Sequence, residues 1–533
     1  MENCTAWYLG ARYMLANGGL LSAEASFMTL DMLRDSPRPV HALTGIAHDM
    51  PIAVSSDTTP VPVRCVPSSH FSAENPMIEY RKLCLAAGAL LLAACTAAPV
   101  APAPDGATPA IELRPGGPGE WQATYALAAP ARVLRFTRNP GDSRRPRWRL
   151  PEDFEITRTD DVDRLRRRDG RPFTAVTLSV PARYVVLPKD YAPFSPFTDG
   201  ALLVHTGQFH ACAGEADCPG EARWALTVVP PEGMRTIVHG AIGDRASFAD
   251  GGDGTNVYVG AGAPLASPEF VAVIDRGLPE PVRAALYRLL PPLMQEFGAR
   301  LTPPPATPML FASLDPYPPS GSGFSHQGGT LPGQVFVHLY GEDWARATEQ
   351  QVGGHLPWFF AHEAAHLFQH AGEGRATYSM EQSWIHEGGA DAFAALSVAR
   401  FGDTREYVEK RVGKAVGQCA KGLRALGGRP LNASAAAGAF DNYYQCGLLM
   451  QLAIDAEVRR ASAGKRDLFD VWADFLGRVR AGATWQQDEF LAAARRAGAA
   501  GSVEFSLALA TQPQPDPEPY LRAQLARAGV KLR

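Results

Sequence analysis

Residues 362–366 read His-Glu-Ala-Ala-His and lie inside an apolar stretch with the spacing of a helix. Side chains four residues apart share one face of an α-helix, so His362 and His366 can point at the same metal ion. Glu363, next to the first histidine, would lie beside the ion rather than bind it, and there its carboxylate can take a proton from a metal-bound water. The motif predicts a zinc site with Glu363 as the catalytic base.

A carboxylate further along the chain can complete this site. Residues 384–391 read Trp-Ile-His-Glu-Gly-Gly-Ala-Asp, and a helix, a loop and a second helix can return Glu387 to the ion. Two histidines and one glutamate form a three-ligand zinc site with a fourth position open to water, which is the pattern of catalytic zinc. Asp391, one helical turn after Glu387, is expected to accept the free ring N–H of a ligating histidine. We therefore expect one Zn²⁺ per chain.

A third motif, Asp-Asn-Tyr-Tyr-Gln-Cys-Gly, begins at residue 441. Across the three motifs the sequence resembles the gluzincin metallopeptidases, specifically the aminopeptidase N and glycyl aminopeptidase branches, whose catalytic domain is thermolysin-like. The resemblance implies a peptide or protein substrate. It also implies that Tyr444 starts a Tyr-x-x-Gly helix and stabilises the tetrahedral oxygen of the reaction, with Tyr443 as the alternative.

Two departures from the family pattern bear on specificity. The family's lysine two residues after the tyrosine is Cys446 in this chain. The strand that reads the free amine of the substrate in aminopeptidases corresponds to residues 328–339, which contain no acidic residue. Aminopeptidase and endopeptidase activity both remain open, and residues 334–339 are a candidate edge strand to which an extended peptide can add.

A targeting signal follows an internal methionine, Met77. Residues 77–94 have a basic start, a short apolar stretch and small residues before Cys95, which is the order of a secretory signal peptide. The final Leu-Ala-Ala-Cys resembles the lipobox of bacterial lipoproteins, which implies a lipid anchor on Cys95 in the bacterial cell envelope. Thr96 follows Cys95 in place of an acidic residue, and this favours the periplasmic face of the outer membrane.

The segments on either side of this signal have different interpretations. Residues 95–115 are rich in Ala and Pro, as expected for a tether between a membrane anchor and a folded domain. If translation begins at Met77, residues 1–76 are an upstream extension that is not part of the translated protein. The alternative is that the apolar segment is internal and has no targeting role.

The cysteines fit an oxidising compartment. After removal of the signal peptide, four remain besides the lipidated Cys95, and an even number is compatible with two disulfides. Cys212 and Cys218 lie close together in a polar segment and form the predicted pair. Cys419 and Cys446 are either a second disulfide or two buried thiols.

Composition is that of an ordinary globular protein, with 46% hydrophobic and 20% charged residues. At 533 residues the chain is long enough for two or more folded units. The net charge is −4, and Lys and Arg are spread along the chain, so there is no electrostatic indication of a nucleic-acid partner.

The hydrophobic pattern predicts an α+β protein with two domains. Short alternating runs in residues 116–277 predict an antiparallel β-sandwich-like domain. Residues 278–533 predict a mixed, mainly helical, thermolysin-like domain with strands at 309–314 and 334–340 and a glycine-rich loop at 320–333. Its predicted helices are 281–298, 357–371, 383–401, 403–425, 441–461 and 468–479.

Two functions are compatible with these motifs. The first is zinc-dependent peptide-bond hydrolysis by a lipid-anchored envelope metallopeptidase. The second is a catalytically inactive lipoprotein with a peptidase fold that binds peptides or takes part in envelope assembly. A purely structural zinc site needs neither a general base at Glu363 nor an open coordination position, which favours the first function.

Overall fold

A computed structural model describes residues 108–187, 190–304, 306–318, 321, 323–348, 353–370, 379–401 and 405–532. Its first half consists of short strands in which buried apolar residues alternate with exposed ones, as the period of a strand requires. The strands are β1 Ala110–Pro115, β2 Glu120–Ala131, β3 Val133–Phe136, β4 Phe154–Thr159, β5 Val162–Arg167, β6 Phe173–Pro181, β7 Phe194–Pro196, β8 Leu202–His205, β9 Ala211–Ala213, β10 Arg223–Val228, β11 Arg235–Val238, β12 Ala241–Gly243, β13 Ala246–Gly251 and β14 Asn256–Gly260.

These strands form three sheets. Their orders are β13-β10-β1-β2-β6, β4-β5-β3-β9 and β12-β11-β14-β8-β7. All neighbouring pairs are antiparallel except β1 with β10. The predicted tether is too long at its C-terminal end, because residues 110–115 form β1. Ile111 and Leu113 point into the core of this region, which composition alone did not indicate.

A fourth sheet joins the β-rich region to the helices. It contains β15 Leu265–Ala266, β16 Val271–Ile274, β17 Met309–Leu314, β18 Ser325–Leu331 and β19 Gln334–Tyr340 in the order β15-β16-β17-β19-β18. Because β16 pairs with β17 in parallel, residues on both sides of the predicted domain boundary at 277 belong to one sheet. Met309, Phe311 and Phe336 on one face pack against the sheet that contains β8 and β14, while the helices cover the other face.

Two predictions about this sheet are wrong. Strand β19 lies between β17 and β18, so residues 334–339 are not an edge strand; the edge is β18. Residues 325–331 belong to the segment that was predicted as a glycine-rich loop. Gly328 and Gly329 give β18 the composition of a loop, but they serve close packing: a Cβ at Gly328 would lie 2.8 Å from the ring of Phe359.

The second half is mainly helical. Its helices in the described residues are α1 Glu280–Arg300, α2 His355–His370, α3 Ser383–Phe401, α4 Arg405–Ala425, α5 Asn442–Ala461, α6 Leu468–Arg480, α7 Gln487–Arg496, α8 Ala500–Thr511 and α9 Pro517–Ala528. The six predicted helices are confirmed to within a few residues at the described ends. Helix α2 begins two residues before Pro357, because proline is tolerated throughout a first turn, where its missing N–H has no partner in the helix.

Helices α7, α8 and α9 were not predicted. They are short, at 10 to 12 residues, and in α8 the apolar residues show little contrast between the faces of the helix, so its own hydrophobic period is weak. The mixed α+β class is confirmed, and the described residues belong to one compact unit. None of the helices described is long and apolar enough to cross a membrane.

Candidate metal centre

Helices α2 and α3 bring three possible metal ligands together. His362 and His366 lie one turn apart on α2, and Glu387 lies on α3. The two Nε2 atoms are 3.1 Å apart, and each is 3.4 Å from Oε2 of Glu387. A tetrahedral zinc ion with bonds of about 2.0–2.1 Å holds its ligands about 3.3–3.4 Å apart. The three atoms therefore have the spacing of one face of a zinc coordination sphere.

The hydrogen bonds of the two Nδ1 atoms determine which ring nitrogens can bind a cation. Nδ1 of His362 is 2.9 Å from Oδ1 of Asp391, and Nδ1 of His366 is 2.7 Å from Oε1 of Gln369. Gln369 donates its Nε2 to the carbonyl of His386, so its oxygen faces His366. Both acceptors require the histidine proton on Nδ1, which leaves a lone pair on each Nε2. With both imidazoles neutral, two lone pairs and a carboxylate face one point, and this arrangement requires a positive charge there.

The electrostatics of the cluster agree with this requirement. Burial lowers the pKa of His362, but hydrogen bonds to Asp391 and Glu387 outweigh burial and raise that pKa to about 10. Burial raises the pKa of Glu387, but hydrogen bonds from His362 and His366 hold it well below its usual range. The residues thus favour a positive charge among them, whether a proton or a metal ion supplies it.

Asp391 is the hydrogen-bond partner of Nδ1 of His362, and two further residues contact its carboxylate. Its Oδ1 also accepts a hydrogen bond from Nε1 of Trp358, at 2.8 Å. An Arg411 nitrogen is 3.9 Å from the same oxygen, and its guanidinium lies over the Trp358 ring. Burial raises the pKa of Asp391, but the hydrogen bond from His362, the charge of Arg411 and the hydrogen bond from Trp358 outweigh burial and lower it, so its carboxylate remains ionised.

Glu363 lies beside the three ligands rather than among them. The cluster that can hold a metal consists of His362, His366 and Glu387 and does not include Glu363. The hydroxyl of Thr330 on β18 donates to its Oε2 at 2.6 Å. Its half-buried carboxylate is close enough to His362 and Tyr444 to act on both electrostatically, so it lies next to the cluster, where a general base would be needed.

The two adjacent tyrosines differ in their surroundings. Tyr443 is fully buried, and its hydroxyl donates to the carbonyl of Asn432 at 3.0 Å and accepts from the N–H of Ala435 at 3.2 Å. The ring of Tyr444 is 5.8 Å from that of His362. Desolvation and the charges of nearby carboxylates, Glu387 first among them, raise the pKa of Tyr444 well above its usual range. Tyr444 therefore stays protonated and able to donate a hydrogen bond at neutral pH.

Glycines allow α2, α3 and α5 to pack closely against each other. A Cβ at Gly388 would lie 2.4 Å from Cα of Gly447, so α3 and α5 cross in backbone contact. Gly388 follows Glu387 directly, and Gly447 lies one turn after Tyr444, so both residues lie near the crossing. A Cβ at Gly389 would lie 2.8 Å from Nε2 of Gln369, which joins α3 to α2.

His386 packs against one of the ligands. Its ring is stacked on that of His366, with centres 3.9 Å apart and planes 13° apart. Burial lowers the pKa of His386 to about 3, so the ring is neutral beside the candidate ligand.

The cysteines form two disulfides in the described residues. One joins Cys212 to Cys218 and the other joins Cys419 on α4 to Cys446 on α5. Cys446 is buried as well as bonded. Cys95, with the signal peptide and the upstream extension, lies outside the residues that the structure describes.

Sequence reasoning missed Gln369 and Thr330. Gln369 lies three residues after His366, and this helical spacing is a signal that could have identified it as the partner of the second histidine. Thr330 carries no such signal, since only the pairing of β18 brings it to Glu363.

No family profile and no curated protein matches the chain. Among solved structures, the chain is similar to the crystal structure of an aminopeptidase N family protein from Idiomarina loihiensis. The TM-score is 0.47 and the sequence identity is 12%, covering 70% of this chain and 71% of that chain.

Proposed function

We propose that the chain is a zinc metallopeptidase of the gluzincin type that hydrolyses peptide bonds. The observation that carries this proposal is the triangle of His362 Nε2, His366 Nε2 and Glu387 Oε2, with edges of 3.1, 3.4 and 3.4 Å. Both histidines present a lone pair to this triangle, and a carboxylate lies next to it. A structural site would fill all four positions with protein ligands. Three ligands and a free carboxylate support catalysis.

Each residue has a defined task in this reaction. His362, His366 and Glu387 would hold a zinc ion, which would supply an acidified water and a positive charge beside the substrate carbonyl. Glu363 accepts the proton of the attacking water and later delivers it to the nitrogen of the departing amine. Tyr444 donates its phenolic hydrogen to the carbonyl oxygen as that oxygen gains negative charge. Asp391 and Gln369 hold the two imidazoles in the tautomer that binds the metal.

The substrate in this proposal is an extended peptide. Strand β18 is an edge strand of its sheet and lies beside α2, so a peptide that adds to this edge as a further strand would lie next to Glu363. Residues 328–339 contain no acid that would bind a free amine. The choice between aminopeptidase and endopeptidase depends on where cleavage occurs.

The cellular location is part of the same proposal. We place the enzyme in the bacterial envelope, anchored to a membrane through lipid on Cys95. The two disulfides support an oxidising compartment such as the periplasm. Metabolic labelling with a fatty-acid analogue should mark the wild-type chain and leave Cys95→Ala unlabelled. Equal labelling of both would contradict the anchor.

The experiment that tests the activity compares wild type, Glu363→Gln and Glu406→Gln as full-length chains. Glu406 is an exposed glutamate on α4 and serves as the matched control. We expect about one zinc per chain in all three. Cleavage of a peptide library, read by mass spectrometry, should fall by about 100-fold or more in Glu363→Gln only.

The outcomes separate the candidate functions. Zinc retained without cleavage by any of the three chains would favour the catalytically inactive peptide-binding lipoprotein. Purified chains that contain no zinc in the absence of chelators would overturn the metal site itself. Cleavage only at amino termini would establish an aminopeptidase, and internal cleavage an endopeptidase.

A further inference from the structure

The carboxylate of Glu363 has a fixed partner on the edge strand. The Thr330 hydroxyl lies 2.6 Å from Oε2 of Glu363 and 3.0 Å from the backbone carbonyl of the same residue. A hydrogen bond to an ionised carboxylate is short and stronger than a neutral one, so the hydroxyl is expected to donate to Oε2. This leaves Oε1 as the oxygen that can face a water.

The geometry of β18 fixes the position of Thr330. Strands β18 and β19 are joined by the two-residue turn Pro332-Gly333, and Thr330 pairs with Val335 one position from the end of the ladder. Proline followed by a glycine with φ of +71° matches the needs of a type II turn. The backbone N–H of Met309 also bonds to the carbonyl of Gly333. The register of Thr330 is therefore held by the turn and by β17.

Close packing on both faces of β18 brings the short threonine side chain within reach. Residues alternate between faces, so Gly328 faces α2 along with Thr330, while Gly329 faces the opposite way. A Cβ at Gly328 would lie 2.8 Å from the Phe359 ring, and one at Gly329 would lie 2.1 Å from the hydroxyl of Tyr191. Any side chain at either position would move β18 away from α2 or from Tyr191.

We propose that Thr330 is a positioning residue for Glu363, an inference that rests on the proposed peptidase function. A glutamate side chain has three rotatable bonds, and only some of its rotamers direct an oxygen at the attacking water. The Thr330 hydroxyl holds one carboxylate oxygen and so orients the other. The Glu363 carboxylate is then already aligned when the substrate binds, so restricting its side chain costs no free energy during the reaction. The β-rich region contributes to this alignment through Tyr191.

The kinetic test compares Thr330→Val, Thr330→Ser and Thr177→Val in the full-length, zinc-loaded chain. Valine keeps the shape of threonine and removes the hydroxyl, and serine keeps the hydroxyl. Thr177 is an exposed strand threonine whose hydroxyl bonds Thr124 in the β-rich region, so it is the matched control. For Thr330→Val we expect kcat to fall about 10- to 100-fold, with zinc content, Tm and KM nearly unchanged. Thr330→Ser should recover most of kcat, and Thr177→Val should match wild type.

A merely structural role for the hydroxyl predicts another pattern. If Thr330 only ties β18 to α2, the valine variant should lower Tm and raise KM as the strand shifts. The inference is overturned if Thr330→Val keeps the wild-type kcat, or if serine fails to restore it while Tm is unchanged.

A structural measurement tests the inference without relying on activity. Crystal structures of wild type and Thr330→Val should show Glu363 in one conformer in the first and in a displaced or multiple conformer in the second. An unmoved carboxylate in the valine variant would refute the positioning role even if no peptide is cleaved. Failure of the peptidase proposal is recognised separately, by a wild-type chain that does not cleave the library.

Discussion

Two adjacent tyrosines on α5 should have different effects when each is changed to phenylalanine: one change should lower kcat, and the other should lower stability. The Tyr444 ring lies 5.8 Å from that of His362, and in the proposed reaction loss of its hydroxyl removes a donor to the developing negative charge. Loss of one such donor costs about 10²–10³ in kcat in well-studied hydrolases. We expect Tyr444→Phe to lower kcat about 100-fold with Tm and zinc content unchanged. Because the pKa of Tyr444 is raised well above its usual range, this residue should add no alkaline limb to the pH profile below pH 10.

Tyr443→Phe should affect stability instead. Its hydroxyl makes two hydrogen bonds to the backbone, at Asn432 and Ala435, and the residue is fully buried. Each bond is worth about 1 kcal/mol net, so the variant should lose about 2 kcal/mol of stability. For a chain of this size that corresponds to a fall in Tm of about 2–4 °C. kcat and KM should remain those of wild type.

The assay is steady-state kinetics on one peptide from the library, combined with thermal denaturation of the same preparations. The two variants differ by one position and remove the same oxygen atom, so each is the control for the other. A wild-type kcat in Tyr444→Phe would refute its role in the reaction. A large loss of kcat in Tyr443→Phe without a change in Tm would assign that role to Tyr443.

Three other predictions concern the metal, a disulfide and pH. Asp391→Asn should weaken zinc binding about 10- to 100-fold in a chelator competition, because Asp391 orients His362. Asp488→Asn, at an exposed position on α7, should not, and equal affinities for wild type and Asp391→Asn would contradict the assignment. Replacing both Cys419 and Cys446 by alanine should cost about 3.5 kcal/mol, the value for a cross-link spanning 27 residues, and an unchanged denaturation midpoint would show the bond to be dispensable. Burial lowers the pKa of His205 to about 3 from 6.5, so the unfolded chain takes up this proton first as the pH falls. Protonation of His205 in the unfolded chain therefore has no effect on stability well above pH 6.5 and should lower the free energy of unfolding by about 2 kcal/mol between pH 6.5 and pH 5. Urea denaturation at these two pH values should show this loss in wild type and not in His205→Leu.

The sequence identified the residues of the site better than it identified their surroundings. His362, His366 and Glu387 could be found because ligand chemistry restricts residue type, and the helical period restricts spacing. Asp391 followed from the same period. Thr330 could not be found this way, because its contact with Glu363 depends on which strand forms the edge of the sheet. That order is a property of long-range pairing and leaves no local periodic signal.

The same reasoning explains the errors in the fold. Helices with one apolar face were predicted closely, since their pattern is local. Strand β18 was taken for a loop because glycines are normally turn residues, whereas Gly328 and Gly329 are needed for packing on both faces of the strand. The predicted domain boundary at 277 separates β16 from β17, which pair in one sheet. The short β16 gives no local sign of this pairing.

The crossing of α3 and α5 shows why the second and third motifs contain glycine next to their chemical residues. In the proposed reaction, Glu387 binds the metal from α3 while Tyr444 donates its hydrogen bond from α5. With any larger residue at Gly388 or Gly447 the helix axes would separate, since a Cβ at either position would lie within 3 Å of the other backbone. The disulfide from Cys446 to Cys419 then ties this end of α5 to α4, the helix that also carries Arg411 beside Asp391. Gly447→Ala should therefore reduce kcat through the position of Tyr444 and reduce zinc affinity through Glu387. Loss of the Tyr444 hydroxyl should reduce kcat alone.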